Sequence, residues 1–256
     1  MINYTIEGNI GKIMLNRPEK FNSFNRTMAL GLQEALKDCS NNNKVRAVYF
    51  SATGKAFSAG QDLSEAIEPN GRTIEQIVDE HYNPIILGIR EMRKPVVCAV
   101  NGIAAGAGAN VALCCDIVVA AKSATFIQAF SKIALIPDSG GTYFLPRLVG
   151  MQQATALMML GEKLSAEDAQ KIGMIYKVFE DDVFEMESWQ IALTLSEMPT
   201  KALGLTKQLL NSSQTNSLRE QLKQEEKLQA QAGLTVDFKE GVKSFLEKRK
   251  AVFRGE

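Results

Sequence analysis

Between Pro95 and Cys115 the chain carries no charged side chain, yet Asn101, Asn110 and the glycines Gly102, Gly106 and Gly108 interrupt it. A membrane-spanning helix needs about 20 consecutive, predominantly apolar residues, and this pattern is too broken for one. The segment reads instead as a buried strand over Val96–Val100, a glycine turn and a buried helix over Ala107–Cys114. Elsewhere the same alternation recurs. Short apolar runs at Tyr4–Glu7, Ile10–Leu15, Val45–Ser51 and Ile117–Ala121, and another starting at Phe126, predict strands. Met28, Leu32, Ala35 and Leu36 recur at helical spacing within Asn25–Asn41. Thr142–Val149 and Gln152–Leu160 read as helices, and so does Ile74–Met92, which Pro84 should kink or split. Strand, strand and helix thus repeat without sequence repetition, which predicts a layered α/β fold.

Past Pro199 the character changes. Lys201–Leu210, Ser217–Ala232 and Phe238–Lys250 are polar and helical in pattern. The expected division is a core of residues 1–198 and a helical module of residues 199–256 that docks on the core or on a second subunit.

Charge excludes some function classes. Lys+Arg and Asp+Glu balance at 29 each, so no global field favours nucleic acid or an anionic membrane. The first residues show no basic stretch followed by an apolar one, so no secretory signal is expected and the reading is cytoplasmic. Cys39, Cys98, Cys114 and Cys115 have no C-x-x-C spacing, and Cys114 and Cys115 should face different sides of any regular element. Reduced, buried thiols and no metal site are expected. His81 is the only histidine and lies in the polar run Asp79–Asn83, which predicts a solvated helix residue.

Two glycine-bearing turns and one acid carry the candidate chemistry. Phe57–Leu63 and Gly102–Asn110 both bring small residues where a backbone can approach a ligand. Free N–H groups at a helix start suit an oxyanion, and two of them converging on a thioester oxygen would stabilise an enolate. Close helix–strand packing explains the same glycines without a ligand. A dinucleotide site is disfavoured, because Gly106-Ala107-Gly108-Ala109-Asn110-Val111 lacks the third glycine. Asp138, in Ile136-Pro137-Asp138-Ser139-Gly140-Gly141-Thr142, has two readings: the cap of a following helix, or a base next to a carbonyl.

With these segments in order, the chain resembles the enoyl-CoA hydratase/isomerase (crotonase) superfamily. The likeness also includes Asn16–Ser23, Cys115-Asp116-Ile117 and Glu240–Arg249. The resemblance implies a spiral of repeated ββα units with a C-terminal helical module that builds homotrimers or homohexamers. It implies an acyl-coenzyme A thioester as substrate and no separate cofactor. The N–H groups of Gln61 and Ala107 match the family's oxyanion hole. Lys20, Phe21, Ala59, Gly60, Gln61, Asp62 and Leu63 match coenzyme A-contacting positions. Phe245 and Lys248 match tail residues that reach a neighbouring subunit's coenzyme A.

Hydratases place glutamates where this chain has Asn110 and Phe130. Asparagine takes no proton and phenylalanine carries none, so simple hydration is disfavoured. An aspartate at position 138 resembles the isomerase branch that turns ring-1,2-epoxyphenylacetyl-CoA into oxepin-CoA in phenylacetate degradation. In that reading Asp138 is the proton carrier, desolvated by Phe130 and Ile136, and Asn110 either orients the substrate or packs the helix. The alternatives are isomerisation of open-chain 3-enoyl to 2-enoyl thioesters, a nucleophilic Asp138, and an acyl-CoA binder without chemistry.

Overall fold

The computed structural model describes all residues, Met1–Glu256. The chain opens with an antiparallel hairpin, β1 (Ile2–Glu7) and β2 (Ile10–Leu15), and helix α1 (Arg26–Asn41). The Asn25 side chain accepts from the Met28 N–H and so starts α1. The helix buries Met28, Leu32, Ala35 and Leu36, the four positions its period marks, together with Ala29 and Cys39.

Three successive units then place one strand in a large sheet and the next in a small one. The first is β3 (Ala47–Ala52), β4 (Ala56–Ser58) and the helices α2 (Leu63–Ala66), α3 (Ile74–Ile77) and α4 (Asn83–Glu91). The second is β5 (Val96–Val100), β6 (Ile103–Ala105) and α5 (Ala107–Leu113). The third is β7 (Ile117–Ala121), β8 (Thr125–Ile127), α6 (Gly141–Val149) and α7 (Met151–Leu160). Next come β9 (Lys163–Ser165), α8 (Ala166–Lys171), β10 (Lys177–Phe179) and α9 (Phe184–Glu197). The large sheet runs β1-β2-β3-β5-β7-β10 and the small one β4-β6-β8-β9. All pairs after the first hairpin are parallel except β8 with β9. This is the predicted spiral of ββα units. Strands β3 and β5 are buried along their whole length, as parallel strands covered on both faces must be.

After Pro199 only helices follow: α10 (Thr200–Ser213), α11 (Leu218–Gly233) and α12 (Val236–Leu246). None of them contributes a residue to the main apolar core, which ends at Ala192 in α9. Their attachment is polar: the Lys207 ammonium donates to the carbonyls of Ile89 (2.7 Å) and Lys94 (3.2 Å) and pairs with Asp116 (2.7 Å). No helix is long and apolar enough to cross a membrane.

Several expectations change. The short strands β4, β6, β9 and β10 and the helices α8 and α9 carry too few residues or too weak a period to stand out in the sequence, and α12 stops at Leu246 rather than Lys250. The stretch 74–92 is divided, as Pro84 predicts, but through a π-helical turn, Val78–Tyr82, joining α3 to α4. That wide turn rotates His81 inward. The imidazole is fully buried, not solvated, and neither ring nitrogen has a partner. All four cysteines are free and buried. Cys114 and Cys115 do not diverge: both thiols donate to the Val111 carbonyl, at 3.1 and 3.5 Å, because α5 ends there and leaves that oxygen to them.

Candidate active site

Strand β4 leads into Ala59-Gly60-Gln61, and this turn is clamped by the chain that precedes α1. Ala59 N–H donates to the Phe21 carbonyl (2.9 Å), Phe24 N–H to Gly60 (2.7 Å) and Asp62 N–H to Phe24 (2.8 Å). Lys20 and Phe21 are therefore brought beside Ala59–Leu63. Lys20, Phe21, Ala59 and Leu63 are exposed there, with Phe21 in a left-handed conformation at φ 50°. Gln61 pairs with Phe24 as an isolated bridge, and its own N–H donates to no atom of the protein.

Ala107 is the first residue of α5, so its N–H is one of the orphan donors at a helix start. Two glycines bring it to Gln61. A Cβ on Gly60, at φ 89°, would lie 2.9 Å from the Ala105 carbonyl oxygen and 3.4 Å from the Ala107 nitrogen. One on Gly108 would lie 2.6 Å from the Ser58 side chain. Close approach of α5 to the β4 turn thus requires these glycines, and it sets the start of α5, with the Ala107 N–H, against the turn that carries Gln61.

One turn along α5, the Asn110 side chain donates to the Asp138 main-chain oxygen (2.9 Å) and accepts from Gln128 Nε2 (2.8 Å). Both polar ends of this buried side chain are thereby engaged. A Cβ on Gly141 would overlap the Asn110 amide, so only glycine allows the two segments to meet. Asp138 opens a tight turn: Gly141 N–H donates to its carbonyl (2.8 Å), with Ser139 and Gly140 at φ 51° and 72°. The cap of α6 is Gly140, with no side-chain capping bond. The Asp138 carboxylate is therefore not spent on a helix end. It accepts only from Ser139 Oγ (2.8 Å) and is half-buried. Burial raises its pKa above the ordinary carboxylate value, opposed by the bond from Ser139.

The shielding of Asp138 differs from expectation. Ile136 is 81% exposed and shields nothing within the chain. Phe130 is buried with its ring under Gly106, at the start of the turn that offers Ala107. Asp62 is engaged as well. It pairs with Arg17 (2.7 Å) and caps α2 through the Ser64 N–H, and the Ser64 and Arg17 bonds hold its pKa below the usual range. Phe245 and Lys248 lie exposed at the end of α12 and share no hydrogen bond or ion pair with the Lys20–Leu63 region. Two neighbours were not foreseen. Ser139 is buried against Asp138, and Tyr82, delivered by the π-turn, donates to Gln61 Oε1 (2.8 Å). The Ser139 hydroxyl next to the acid could have been suspected from the sequence; Pro84 marks a break in the helix but not that it takes the form of a π-turn.

No three His, Cys, Asp or Glu side chains are grouped to hold a metal ion. A carboxylate of raised pKa can remove a proton α to a carbonyl, and free main-chain donors can stabilise the enolate that results. Comparisons with known proteins show the family. The enoyl-CoA hydratase/isomerase family model matches residues 5–256. The chain is 44% identical over 254 residues to the 1,2-epoxyphenylacetyl-CoA isomerase of Escherichia coli strain K12, covering 98% of this chain and 97% of that one. It is 41% identical to a Rhodobacter capsulatus protein named "Probable enoyl-CoA hydratase", covering 99% and 98%. A solved Mycobacterium abscessus structure described as an enoyl-CoA hydratase/isomerase superposes with a TM-score of 0.96 at 35% identity, covering 100% of both chains. With such matches along its whole length, the chain belongs to the enoyl-CoA hydratase/isomerase family.

Proposed function

We propose that this protein is an acyl-CoA isomerase that acts on ring-1,2-epoxyphenylacetyl-CoA and yields oxepin-CoA. The observation that carries this reading is that Asp138 is the only uncommitted acid in the site. Asn110 and Phe130 stand where a hydratase would hold its glutamates. Asp62 is bound to Arg17, and Glu65 accepts from the Arg26 N–H and the Gln61 side chain. Adding water across a double bond calls for an acid and a base, whereas moving a proton within one molecule can use a single carboxyl.

The thioester oxygen sits between the Gln61 and Ala107 N–H groups. Asp138 takes the α-proton, the charge spreads onto that oxygen, and the same carboxyl returns a proton at a distant carbon as the ring opens to the oxepin. Atoms and electrons balance without a redox partner, so coenzyme A enters only as part of the substrate. Lys20, Phe21 and the Ala59–Leu63 turn hold its pantetheine end. Exposed apolar side chains on α10–α12, among them Leu210, Leu218, Leu222 and Phe238, support assembly into a homotrimer or homohexamer.

The test is to incubate the protein separately with the epoxide thioester, an open-chain 3-enoyl-CoA and a 2-enoyl-CoA, following mass and absorbance. Oxepin formation faster than 3-enoyl isomerisation, with no mass gain from 2-enoyl-CoA, is the expected result. Net addition of 18 mass units to 2-enoyl-CoA as the main reaction would identify a hydratase and end this reading.

A further inference from the structure

Tyr82 is a large side chain held almost completely out of solvent, at 1% exposure, within a π-helical turn. Such turns are rare and occur mostly as single-turn bulges, frequently at functional sites. This one has a local cause. Pro84 sits near the start of α4 and has no N–H to continue the regular ladder, so the chain widens through Val78–Tyr82. The Gln33 side chain closes the widened turn by donating to the Glu80 (2.8 Å) and His81 (3.1 Å) carbonyls.

Two of the Tyr82 contacts reach the bridged pair Phe24 and Gln61. Its hydroxyl donates to Gln61 Oε1 at 2.8 Å, and its ring packs edge-on against Phe24 with centroids 5.7 Å apart. Phe24 is the residue whose N–H and carbonyl bracket Gln61, through Gly60 and Asp62. Tyr82 therefore holds Gln61 by the side chain directly and by the main chain through Phe24. The Gln61 amide nitrogen continues the chain of bonds to Glu65 Oε2 (3.2 Å), which in turn accepts from the Arg26 N–H at the start of α1. Burial together with the negative charges of Asp138 and Glu65 keeps the phenol protonated and donating.

We infer that Tyr82 is a positioning residue for enolate stabilisation, fixing through Gln61 the direction of the main-chain N–H that receives the thioester oxygen. The inference rests on the reading that Gln61 and Ala107 form the oxyanion site. It assigns the π-turn a task, since a regular helix through 78–82 would rotate the hydroxyl away from Gln61. Losing one oxyanion donor outright costs about 10²–10³ in rate, so misaiming one donor should cost about tenfold.

The experiment uses the full-length protein and phenylacetyl-CoA, a thioester with an acidic α-proton, carrying ¹³C at the carbonyl. Two quantities are read for wild type, Tyr82→Phe, Gln61→Leu and the double variant: the kcat and KM of α-proton exchange in D₂O, and the infrared shift of the bound carbonyl. Tyr82→Phe keeps the ring on Phe24 and loses only the hydroxyl. The expected result is an exchange kcat about tenfold lower, KM within about twofold, and a smaller carbonyl shift. Gln61→Leu, which also loses the bond to Glu65, should cost at least as much, and the double variant should lose no more than Gln61→Leu, because the Tyr82 bond is already gone from it. A wild-type carbonyl shift and kcat retained in Tyr82→Phe would overturn the assignment while leaving the oxyanion site intact, and so would losses that multiply in the double variant. A wild-type protein that shifts no carbonyl and exchanges no proton would overturn both.

Discussion

The Asn110 side-chain amide donates to the main-chain oxygen of Asp138 at 2.9 Å, which ties the helix that offers the Ala107 N–H to the turn that offers the carboxylate. The two halves of the proposed chemistry are thereby fixed relative to each other by one bond. Asn110→Asp keeps the shape and the bond from Gln128 but faces the Asp138 carbonyl with an acceptor. Positional errors of about 1 Å cost on the order of 10²-fold in rate, so the exchange kcat should fall between about tenfold and 10²-fold, with KM changed less. Steady-state kinetics with an acyl-CoA thioester check this. An unchanged kcat would mean that the turn is held by other contacts.

Asp138 must be ionised to act as a base, so the acid limb of kcat/KM reports its pKa in the free protein. Burial raises that pKa and the Ser139 hydroxyl, bonded to Oδ1 at 2.8 Å, opposes the rise. Ser139→Ala removes a donor that favours the charged form, and the limb should move to higher pH. A limb that stays put, or moves lower, would show that another group governs it. In Asp138→Asn the shape remains and the base is gone, and the exchange rate should fall by about 10²–10⁴ at every pH. Wild-type turnover in that variant would remove Asp138 from the mechanism.

What the sequence shows and hides in this site follows from the range of each interaction. The buried segment 95–115, the helical period before Asn41 and the glycines at 60 and 108 are local signals. Each is legible because burial and close approach restrict residue type where they act. The meeting of Gln61 with Ala107, and of Asn110 with Asp138, is long-range. It comes from strands three residues long in the small sheet, too short for any period to mark. The Tyr82 bond depends on a backbone widening of which Pro84 announces only an interruption of the helix, not the π-turn that results. Ile136 misled for a related reason: an apolar side chain beside an acid is not over it unless the turn carries it there, and Ile136 is left 81% exposed.

His81 offers a stability test. Its imidazole is fully buried, its nitrogens are unpartnered, and burial lowers its pKa below the ordinary 6.5. The facing charges are Glu65 and Glu80, which favour protonation, and Arg26 and Arg72, which oppose it. Since the folded state disfavours the proton that the unfolded chain accepts near 6.5, the contribution is full above that pH. It is lost as pH falls through 6.5 toward the lower folded value. Thermal unfolding from pH 7.5 to 5 should therefore show a falling Tm, and His81→Leu should flatten that slope. Parallel slopes in the two proteins would show that other groups carry the dependence.

The last prediction concerns the helices after Pro199, which lean on polar contacts rather than on the core. Lys207 is 6% exposed and its pKa is lowered by burial, an effect that the Asp116 carboxylate opposes. Replacing it with methionine keeps most of the volume but leaves the Ile89 and Lys94 carbonyls without their donor. Asp116 would keep Arg90 (3.1 Å) and the Val96 N–H (2.9 Å), so no charge is stranded alone. The loss should then be about 1–3 kcal/mol, the cost of buried acceptors left unmet, rather than the larger penalty of an orphaned ion. Asn211 also bonds Arg90, so α10 would stay docked near its C-terminal end while its middle loosens. Urea unfolding of Lys207→Met, read together with hydrogen exchange along 200–213, measures both effects. Unchanged stability and protection would mean that contacts other than those of Lys207 hold the module.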